Sequence, residues 1–367
     1  MSQSVILVDK ADAFTKKFVE NFLTVDQNCG NTTVYSMDSK FHPFEQRENV
    51  NDPKGDYLVS SANPKMYEGF FEYVTSRNLD SIVIPRLHFP EYFVLGLMAT
   101  SRAMPRISIS FFGLNEISSN ESRKYILKEF LKLNLDNQIV IHSNWWLDLE
   151  KSLPESLKEL GNQIIFASDP IYEDPLSYKK TEYETERESL GIRVDTKVIL
   201  FFGSMFYGKG IDIVIEALQY LPVNYLLLVA SNSKTLNFSV ENNLFDDSRI
   251  LHLDRFIEES EVPSLFKLSN LVVLPYRDSY KDGTSGVLVQ AALAGKQICV
   301  PNFAPFSEIV NRFGVGGIFD SENPVSLAEA IIRTVELEGV HDPTIGWNDY
   351  LSRVTTWRDI VKLHLHS

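Results

Sequence analysis

Cysteine is scarce in this sequence, and long apolar segments are missing from it. The chain has two cysteines, Cys29 and Cys299, which lie far apart and form no Cys-x-x-Cys pair. This argues against a disulfide framework and against a zinc site. No window approaches about 18 consecutive apolar residues, so no transmembrane helix is expected. The N-terminal stretch MSQSVILVDKADAF predicts a first strand and not a signal peptide, and we therefore expect a cytoplasmic protein.

Positive charge is also in short supply. The chain carries 35 lysines and arginines against 49 acidic residues, a formal net charge of −14. Nucleic acid and anionic lipid both bind to basic surfaces, so neither is an expected partner. With 44% hydrophobic and 23% charged residues, the composition is that of a globular protein. A length of 367 residues suits two domains of about 150–200 residues each.

Short runs rich in valine, isoleucine and leucine alternate with helix-length segments along the chain. Near-continuous apolar strands of this kind indicate parallel sheets with helices on both faces, which is an α/β fold. The predicted strands are Val5–Val8, Ser81–Ile84, Ile107–Ser110, Gln138–Ile141, Ile164–Ala167, Lys197–Phe202, Tyr225–Ala230, Arg249–Leu253, Leu271–Leu274 and Gln297–Val300.

The segment 169–196 is the best candidate for a domain boundary. It contains prolines, many charges and several tyrosines, and a new apolar strand follows it. We take residues 1–180 as one domain and 181–345 as the other. The tail 346–367 is predicted to be a helix that packs back on the first domain.

A glycine-rich turn, GSMFYGKG at 203–210, follows the strand VILFF and precedes the helical pattern IDIVIEALQYL. Such a turn exposes backbone N–H groups at the positive end of a helix dipole, and Lys209 adds a point charge that suits a phosphate or diphosphate. The turn nearly matches Walker A. However, Gly210 stands where a magnesium-binding hydroxyl belongs, and no Walker-B aspartate follows, which disfavours a P-loop NTPase. The other alternative is a plain glycine turn with a solvated lysine.

A second strand–loop–helix junction, DSYKDGTSG at 278–286, precedes the helix VLVQAALAG. Its helix start offers free amides, and Asp282 supplies an acid. Gln290 follows eight positions later, two helical turns on, and so lies on the same side of the helix as the loop. An acid and an amide placed in this way can hold hydroxyls of a sugar and a ribose. The alternative is that Asp282 caps the helix and Gln290 is a surface residue.

With these motifs the sequence resembles the retaining family-4 glycosyltransferases of the GT-B fold. The resemblance covers nearly all of 181–345 and is weaker before it. The matching segments are VILFFGSMFYGKGIDIVIEAL, RFIEESEVPSLFKLSNLVVLPY, DGTSGVLVQAALAGKQICVP and GVGGIFDSENPVSLAEAI. It implies two Rossmann-like parallel-sheet lobes facing a cleft. Residues 1–180 would bind the acceptor, 181–345 the nucleotide-sugar, and the helix at 346–367 would cross back to the first lobe.

The resemblance assigns both motifs to the donor. In the family a Gly-Arg-x4-Lys-Gly turn binds the donor diphosphate; Gly203, Lys209 and Gly210 match it, but Ser204 replaces the arginine and removes a bidentate phosphate partner. The family's Glu-x7-Glu pair contacts the donor sugar and the ribose. The corresponding residues are Asp282, which keeps the charge on a shorter arm, and Gln290, which keeps an acceptor. The loop between them adds Gly283, Thr284, Ser285 and Gly286 to the donor-binding candidates.

Further positions follow from the resemblance by place alone. Arg255, Phe256 and Ile257 lie where the family's nucleotide base packs, through backbone contacts that need no particular side chain. Glu308 lies where the family often has a glutamate near the cleft, and a solvated helix charge is an equal alternative.

The strand ending at Ile84 leads into the acceptor-side candidates. Arg86 and His88 follow it, and ligands of open parallel sheets bind at this edge. His88 resembles the family's histidine near the donor sugar, which makes His88, Lys209 and Asp282 the candidate catalytic residues. His142 also ends a strand and is a weaker acceptor-side candidate. For these histidines the alternative is an ordinary hydrogen-bonded side chain. The nearby aromatic residues Phe111, Phe112, Trp145 and Trp146 are expected mostly to pack in the core.

No motif suggests a metal or another cofactor. Asp-x-Asp, which holds a divalent ion in GT-A enzymes, does not occur, and neither a Gly-x-Ser-x-Gly elbow nor a Gly-x-Gly-x-x-Gly fingerprint after the first strand is present. We therefore expect a metal-independent hexosyltransferase that moves a sugar from a nucleoside-diphosphate sugar to a hydroxyl of a glycan or glycoconjugate, with retention. The alternative is a GT-B-like binding or partner subunit that has lost catalysis. Ser204 and Gln290 favour it, while Lys209 and Asp282 oppose it.

Overall fold

The computed structural model describes residues 4–8, 13–25, 32–37, 50–51, 67–77, 79–87, 90–100, 104–113, 121–143, 163–171, 178, 184–236, 238, 244–336 and 342–365. The chain forms two compact units. The first is Met1–Pro170 together with Thr355–Ser367, and the second is Ile171–Val354. None of the helices in the described ranges is long and apolar enough to cross a membrane.

The first unit is built on a seven-stranded sheet. Its strands are β1 (Ser4–Val8), β2 (Thr32–Ser36), β3 (Val50–Asn51), β4 (Ser81–Ile84), β5 (Arg106–Phe112), β6 (Gln138–His142) and β7 (Ile164–Ala167). Its first helices are α1 (Ala13–Val25), α2 (Glu68–Thr75), α3 (Pro90–Ala99) and α4 (Glu121–Leu133). The strand order is β3-β2-β1-β4-β5-β6-β7, and all pairings are parallel. β1 is buried at every position, which explains why its sequence is apolar throughout after Ser4.

The second unit is built on a six-stranded sheet. Its strands are β8 (Lys197–Phe202), β9 (Tyr225–Ala230), β10 (Ile250–Leu253), β11 (Leu271–Val273), β12 (Gln297–Pro301) and β13 (Gly316–Phe319). Its helices are α5 (Glu184–Ser189), α6 (Ile211–Ala217), α7 (Val262–Leu268), α8 (Gly286–Leu293), α9 (Phe306–Phe313), α10 (Pro324–Glu336) and α11 (Thr344–Arg353). The order is β10-β9-β8-β11-β12-β13, again with all pairings parallel.

Both sheets change winding direction beside their first strand, between β1 and β4 and between β8 and β11. In open parallel sheets the loops that leave the strands on either side of this point form the usual ligand site. Two doubly wound parallel sheets confirm the predicted α/β architecture of two Rossmann-like units. In the second unit, both motifs singled out in the sequence leave the strands at this point.

The C-terminal segment is divided between the two units, which differs from the single helix at 346–367 expected from sequence. α11 packs in the second unit, where the indole of Trp347 donates to the Lys296 carbonyl at 2.7 Å and Tyr350 contacts the ring of Phe313. The last helix, α12 (Trp357–Leu365), belongs to the first unit. The first boundary also falls at 170, ten residues before the expected one.

A fully buried histidine fixes α12 to the first sheet. The two ring nitrogens of His364 hydrogen-bond the hydroxyls of Ser108 at 2.6 Å and Ser110 at 2.9 Å, both on β5. The ring also contacts Phe18 of α1 edge-on. Burial lowers the pKa of His364 to about 3, and the charges of His142, when it is protonated, and of Arg106 act in the same direction. Burial likewise lowers the pKa of His142 to about 4. Both rings are therefore neutral in the folded protein at neutral pH.

These two histidines are expected to make the first unit less stable in mild acid. Each has a folded pKa below its ordinary value near 6.5, so the unfolded chain binds more protons as the pH falls through 6.5, and stability is lost. Between pH 7 and pH 5.5 the loss should be about 1 kcal/mol for each histidine. Denaturant titrations at several pH values measure it. In His364→Gln the pH slope should be about half that of the wild type, and an unchanged slope would contradict this assignment.

Candidate functional site

The turn after β8 is shaped by two glycines in left-handed conformations. Gly203 has φ 97° and donates its N–H to the Ala230 carbonyl at 3.2 Å. Gly210, with φ 68°, ends a short 3-10 turn and precedes α6. A Cβ atom at position 210 would overlap the carbonyl oxygen of Pro275, in the loop after β11. Glycine is therefore required at 210 both by its backbone conformation and by the close approach of the second loop.

Lys209 is more buried than the sequence led us to expect. Its side chain is only 7% exposed, and its ammonium donates to the hydroxyl of Tyr276 at 3.1 Å. The Nζ atom lies 4.2 Å from the ring centroid of Tyr276 and 4.1 Å from that of Tyr280. Cation–π attraction to two rings and a hydrogen bond to a phenol hold the charge in place. The alternative of a solvated lysine is therefore wrong.

The start of α8 is capped by Ser285. Its Oγ accepts from the Leu288 N–H at 3.3 Å and lies 2.7 Å from the hydroxyl of Tyr276. The alternative that Asp282 caps the helix is wrong for this reason. Gly286, the first residue of α8, has open space where a Cβ would stand. The start of α8 is thus joined to Lys209 through Tyr276, and backbone N–H groups at a helix start suit an anion.

The two polar residues predicted to bind hydroxyls flank the start of α8. Asp282 and Gln290 are both partly buried. Asp282 makes no hydrogen bond or ion pair with another residue in the described ranges, so its carboxylate can accept bonds from a ligand. The loop between them is tight, because a Cβ at Gly283 would meet the ring of Tyr280, whose hydroxyl donates to the Thr284 carbonyl.

The loop after β10 offers its backbone and one aromatic ring. Both terminal nitrogens of Arg255 donate hydrogen bonds to the carboxylate of Glu261, at 2.8 and 2.5 Å. The guanidinium of Arg255 is therefore paired with Glu261. Phe256 is 70% exposed, while Ile257 is buried. The resemblance places the base here through backbone contacts alone, and that assignment stays a prediction.

An arginine that the sequence reasoning missed holds the two loops together. The guanidinium of Arg277 donates to both carboxylate oxygens of Asp212 at 3.1 and 2.6 Å and to the Tyr207 carbonyl at 2.6 Å. Its backbone N–H donates to the Gly208 carbonyl at 3.0 Å. Burial acts to lower the pKa of Arg277, but the hydrogen bond and charge of Asp212 outweigh it and raise the pKa. No spacing rule links positions so far apart, so the pair had no signal in the sequence.

The remaining candidates of the second unit lie at the surface. Ser204, where the family has an arginine, is exposed. Glu308 is exposed in the first turn of α9. No group of three or more histidine, cysteine or acidic side chains in the described ranges is arranged to hold a metal ion.

The first unit supports only part of the acceptor-side predictions. Arg86 follows β4, and its guanidinium lies 4.8 Å from the ring centroid of Phe112. His142 is completely buried, stacks on Phe112 and donates from Nδ1 to the Ser168 carbonyl at 3.0 Å. His142 is a core residue for this reason, which corrects its expected acceptor-side role. Phe111 is also in the core. His88, Trp145 and Trp146 lie outside the described residues.

Comparison with known proteins agrees with the geometry of the second unit. Residues 182–344 match the family model described as "Glycosyl transferases group 1". An uncharacterized glycosyltransferase of Methanocaldococcus jannaschii is 25% identical over 228 residues, which cover 59% of this chain and 55% of the relative. The chain matches about half the length of the curated relatives that it resembles. The match to the family model lies within the second unit, which holds both motifs singled out in the sequence.

Solved structures extend the likeness to the whole chain. A glycosyltransferase from Rickettsia africae ESF-5 has a TM-score of 0.73 at 13% identity, over 99% of this chain and 97% of that one. HepE of Anabaena, solved in complex with UDP and glucose, has a TM-score of 0.62 at 14% identity, over 99% and 95% of the two chains. At such low identity these likenesses show the fold alone, and it is the GT-B fold.

Proposed function

Since the chain has the GT-B fold and its second unit matches a glycosyltransferase family model, we propose that it moves a hexose-type sugar from a nucleoside-diphosphate sugar to a hydroxyl acceptor. The second unit would hold the donor. The observation that carries this proposal is the junction of Lys209 with the start of α8, joined through Tyr276. Two motifs far apart in sequence there bring an ammonium and the start of a helix to one place. The acceptor that we propose is a glycan or glycoconjugate, and the first unit would bind it.

The chemistry that these groups support is departure of a nucleoside diphosphate. As the bond from the anomeric carbon to the diphosphate breaks, negative charge grows on the leaving oxygen. A fixed ammonium and helix amides stabilise that charge without reorganising. Asp282 would accept bonds from sugar hydroxyls, and Gln290 would bind the ribose. Retention of anomeric configuration and membership of family 4 rest on the resemblance, and a product of inverted configuration would rule them out.

Ligand-induced stabilisation tests the donor assignment directly. UDP, GDP, ADP and their sugars should be screened by differential scanning fluorimetry, with UDP first because Anabaena HepE was solved with it. A ligand at 100 times its dissociation constant adds about 2.7 kcal/mol of stability, which raises the melting temperature visibly. If none of these compounds raises it, the proposed donor site is wrong.

A second candidate function is a subunit that binds the donor without turning it over. Two replacements favour it: Ser204 for the family's arginine, and Gln290 for its glutamate. Release of free nucleotide from the best-stabilising sugar donor separates the two. An enzyme releases nucleotide, faster with an acceptor, whereas a binding subunit is stabilised by the donor and leaves it intact.

Transfer is expected to continue in excess EDTA. Lys209 and the α8 amides already supply positive charge for the diphosphate, which is the part a divalent ion plays elsewhere. The rate of nucleotide release should change less than twofold between EDTA and added magnesium or manganese. Loss of activity in EDTA that either ion restores would contradict the metal-independent mechanism.

Gln290→Glu is expected to tighten nucleotide binding. A carboxylate accepts ribose hydroxyl bonds with charge assistance, which contributes about 1.5–3 kcal/mol against about 1 kcal/mol for a neutral amide. The gain should be roughly tenfold in affinity, less the cost of burying the new charge. Isothermal titration of both proteins with the best-stabilising nucleotide measures it.

Gln219→Glu is the matched control for this change. Gln219 is exposed in the 3-10 turn after α6 of the same unit, so this variant adds the same charge at a remote place. Its affinity should equal that of the wild type. If Gln290→Glu also leaves the affinity unchanged, residue 290 does not contact the donor.

A further inference from the structure

One hydrogen-bonded row connects the two loops of the donor site. It begins at the Lys209 ammonium, which donates to the hydroxyl of Tyr276 at 3.1 Å. The same hydroxyl lies 2.7 Å from Oγ of Ser285, which in turn caps α8 by accepting from the Leu288 N–H. The row therefore runs from the turn after β8 to the first turn of α8, and Tyr276 is its middle member.

The ring of Tyr276 is held firmly. Tyr276 is 2% exposed, and its ring makes edge-on contacts with Tyr280 at 4.8 Å and Phe306 at 5.1 Å between centroids. The residue before it, Pro275, abuts Gly210, and the residue after it is the ion-paired Arg277. A ring fixed on all these sides gives its hydroxyl a fixed position.

The direction of the bonds follows from the chemistry of the two side chains. An ammonium has three donors and no acceptor, so the Tyr276 oxygen accepts from Lys209. Lysine has a long flexible stem, and a free lysine would have to be ordered when the anion arrives. A hydrogen-bond acceptor that is fixed in the protein orders the lysine before the anion binds. A charge that is already in position stabilises a leaving group without an energetic cost of reorganisation.

We propose that Tyr276 is a positioning residue of the donor site: it sets the Lys209 ammonium beside the capped start of α8, so that both meet the diphosphate together. The inference rests on the proposed function, since it assumes that a diphosphate binds there. Tyr276 acts through Lys209 and need not contact the ligand itself.

Tyr280 provides a matched control within the same cluster. Its ring centroid lies as close to the ammonium as that of Tyr276, 4.1 against 4.2 Å. Its hydroxyl, however, donates to the Thr284 carbonyl and not to the row. Tyr276→Phe and Tyr280→Phe thus remove the same atom beside the same cation, and only the first removes a bond to Lys209.

A double-mutant cycle on UDP affinity tests the proposal. The wild type, Tyr276→Phe, Lys209→Met and the double variant are titrated with UDP by calorimetry, with GDP or ADP in its place where that nucleotide stabilises the protein more. Tyr276→Phe should weaken binding about tenfold, which is typical of a lost hydrogen bond to a charged group. In the Lys209→Met background the same change should weaken binding less than twofold. Where that background binds too weakly to titrate, the cycle is measured on kcat/KM for nucleotide release.

The outcomes separate the inference from the proposed function. Tyr280→Phe should weaken UDP binding by a similar factor with and without Lys209, because the hydroxyl of Tyr280 does not act through the ammonium. If Tyr276→Phe also shows equal factors in both backgrounds, its role is merely structural and the inference is overturned, while the donor site stands. If no nucleotide binds the wild type, the proposed function fails and the inference fails with it. Melting temperatures of the ligand-free variants within a few degrees of the wild type would show that the fold is intact.

Discussion

Lys209→Met is expected to slow release of nucleotide from the donor by about 100- to 1,000-fold, the usual cost of removing one preorganised group that stabilises developing negative charge. Methionine keeps much of the apolar stem between the rings of Tyr276 and Tyr280, so the packing should survive. The lost group is the ammonium alone. Steady-state kinetics with a saturating sugar donor measure the effect, and the fall should be seen in kcat as well as in kcat/KM.

Lys267→Met is the control for general loss of positive charge. Lys267 lies in the last turn of α7 in the same unit and is partly exposed. This variant removes the same charge from the same unit and should retain activity within about twofold of the wild type, as surface substitutions usually do. Equal activity of both variants would remove Lys209 from the diphosphate site.

Gly210→Ala is expected to cost about 3 kcal/mol or more in stability, as the sum of two effects. A residue with a Cβ in the left-handed region loses roughly 1–2 kcal/mol, and the overlap with the Pro275 carbonyl adds about 1–3 kcal/mol because backbone cannot move aside. Denaturant unfolding measures the loss. Relief of the overlap would also displace the turn that carries Lys209, so nucleotide binding should weaken in the fraction that remains folded.

Gly191→Ala separates the two effects. Gly191 has φ 67°, nearly the same as Gly210, but no atom lies within 4 Å of the place its Cβ would occupy. This variant carries the backbone strain without the overlap and should lose only about 1 kcal/mol. If both variants lose the same amount, the close approach of the loop after β11 contributes nothing.

Apolar runs predicted most of the strands, but this pattern did not predict strands of two kinds. β2 has the sequence TTVYS, and its polar residues mask the buried Tyr35. β13 begins with two glycines, and a Cβ at Gly317 would overlap the Thr334 hydroxyl of α10. Glycine in β13 serves helix packing, and local sequence carries no sign of a helix that comes later. The α/β fold itself was predictable, because fully buried parallel strands leave an unmistakable apolar pattern.

For the candidate site, the sequence predicted two loops that the structure brings together, but it did not predict how their side chains are arranged. The glycine turn and the α8 junction were recognisable, since each follows a strand and opens a helix. The burial of Lys209 was not, because the rings that enclose it come from Tyr276 and Tyr280, far along the chain. The bond between Arg277 and Asp212 was missed for the same reason. The GT-B fold is confirmed, while membership of family 4, the base, the sugar, the acceptor and retention stay predictions.

The path of the chain through the two units restricts how the protein can be cut into working pieces. The chain leaves the first unit at residue 170 and re-enters it at 355, so one break cannot separate the units. A fragment ending at 170 would lack α12 and leave the hydroxyls of Ser108 and Ser110 without His364, beside a surface that Ile360 and Val361 normally cover. Residues 171–354 are continuous and retain every contact described for the proposed donor site. Donor binding could therefore be studied on that fragment, while any study of the first unit alone has to supply its last helix, either as a separate peptide or through a linker that replaces the second unit.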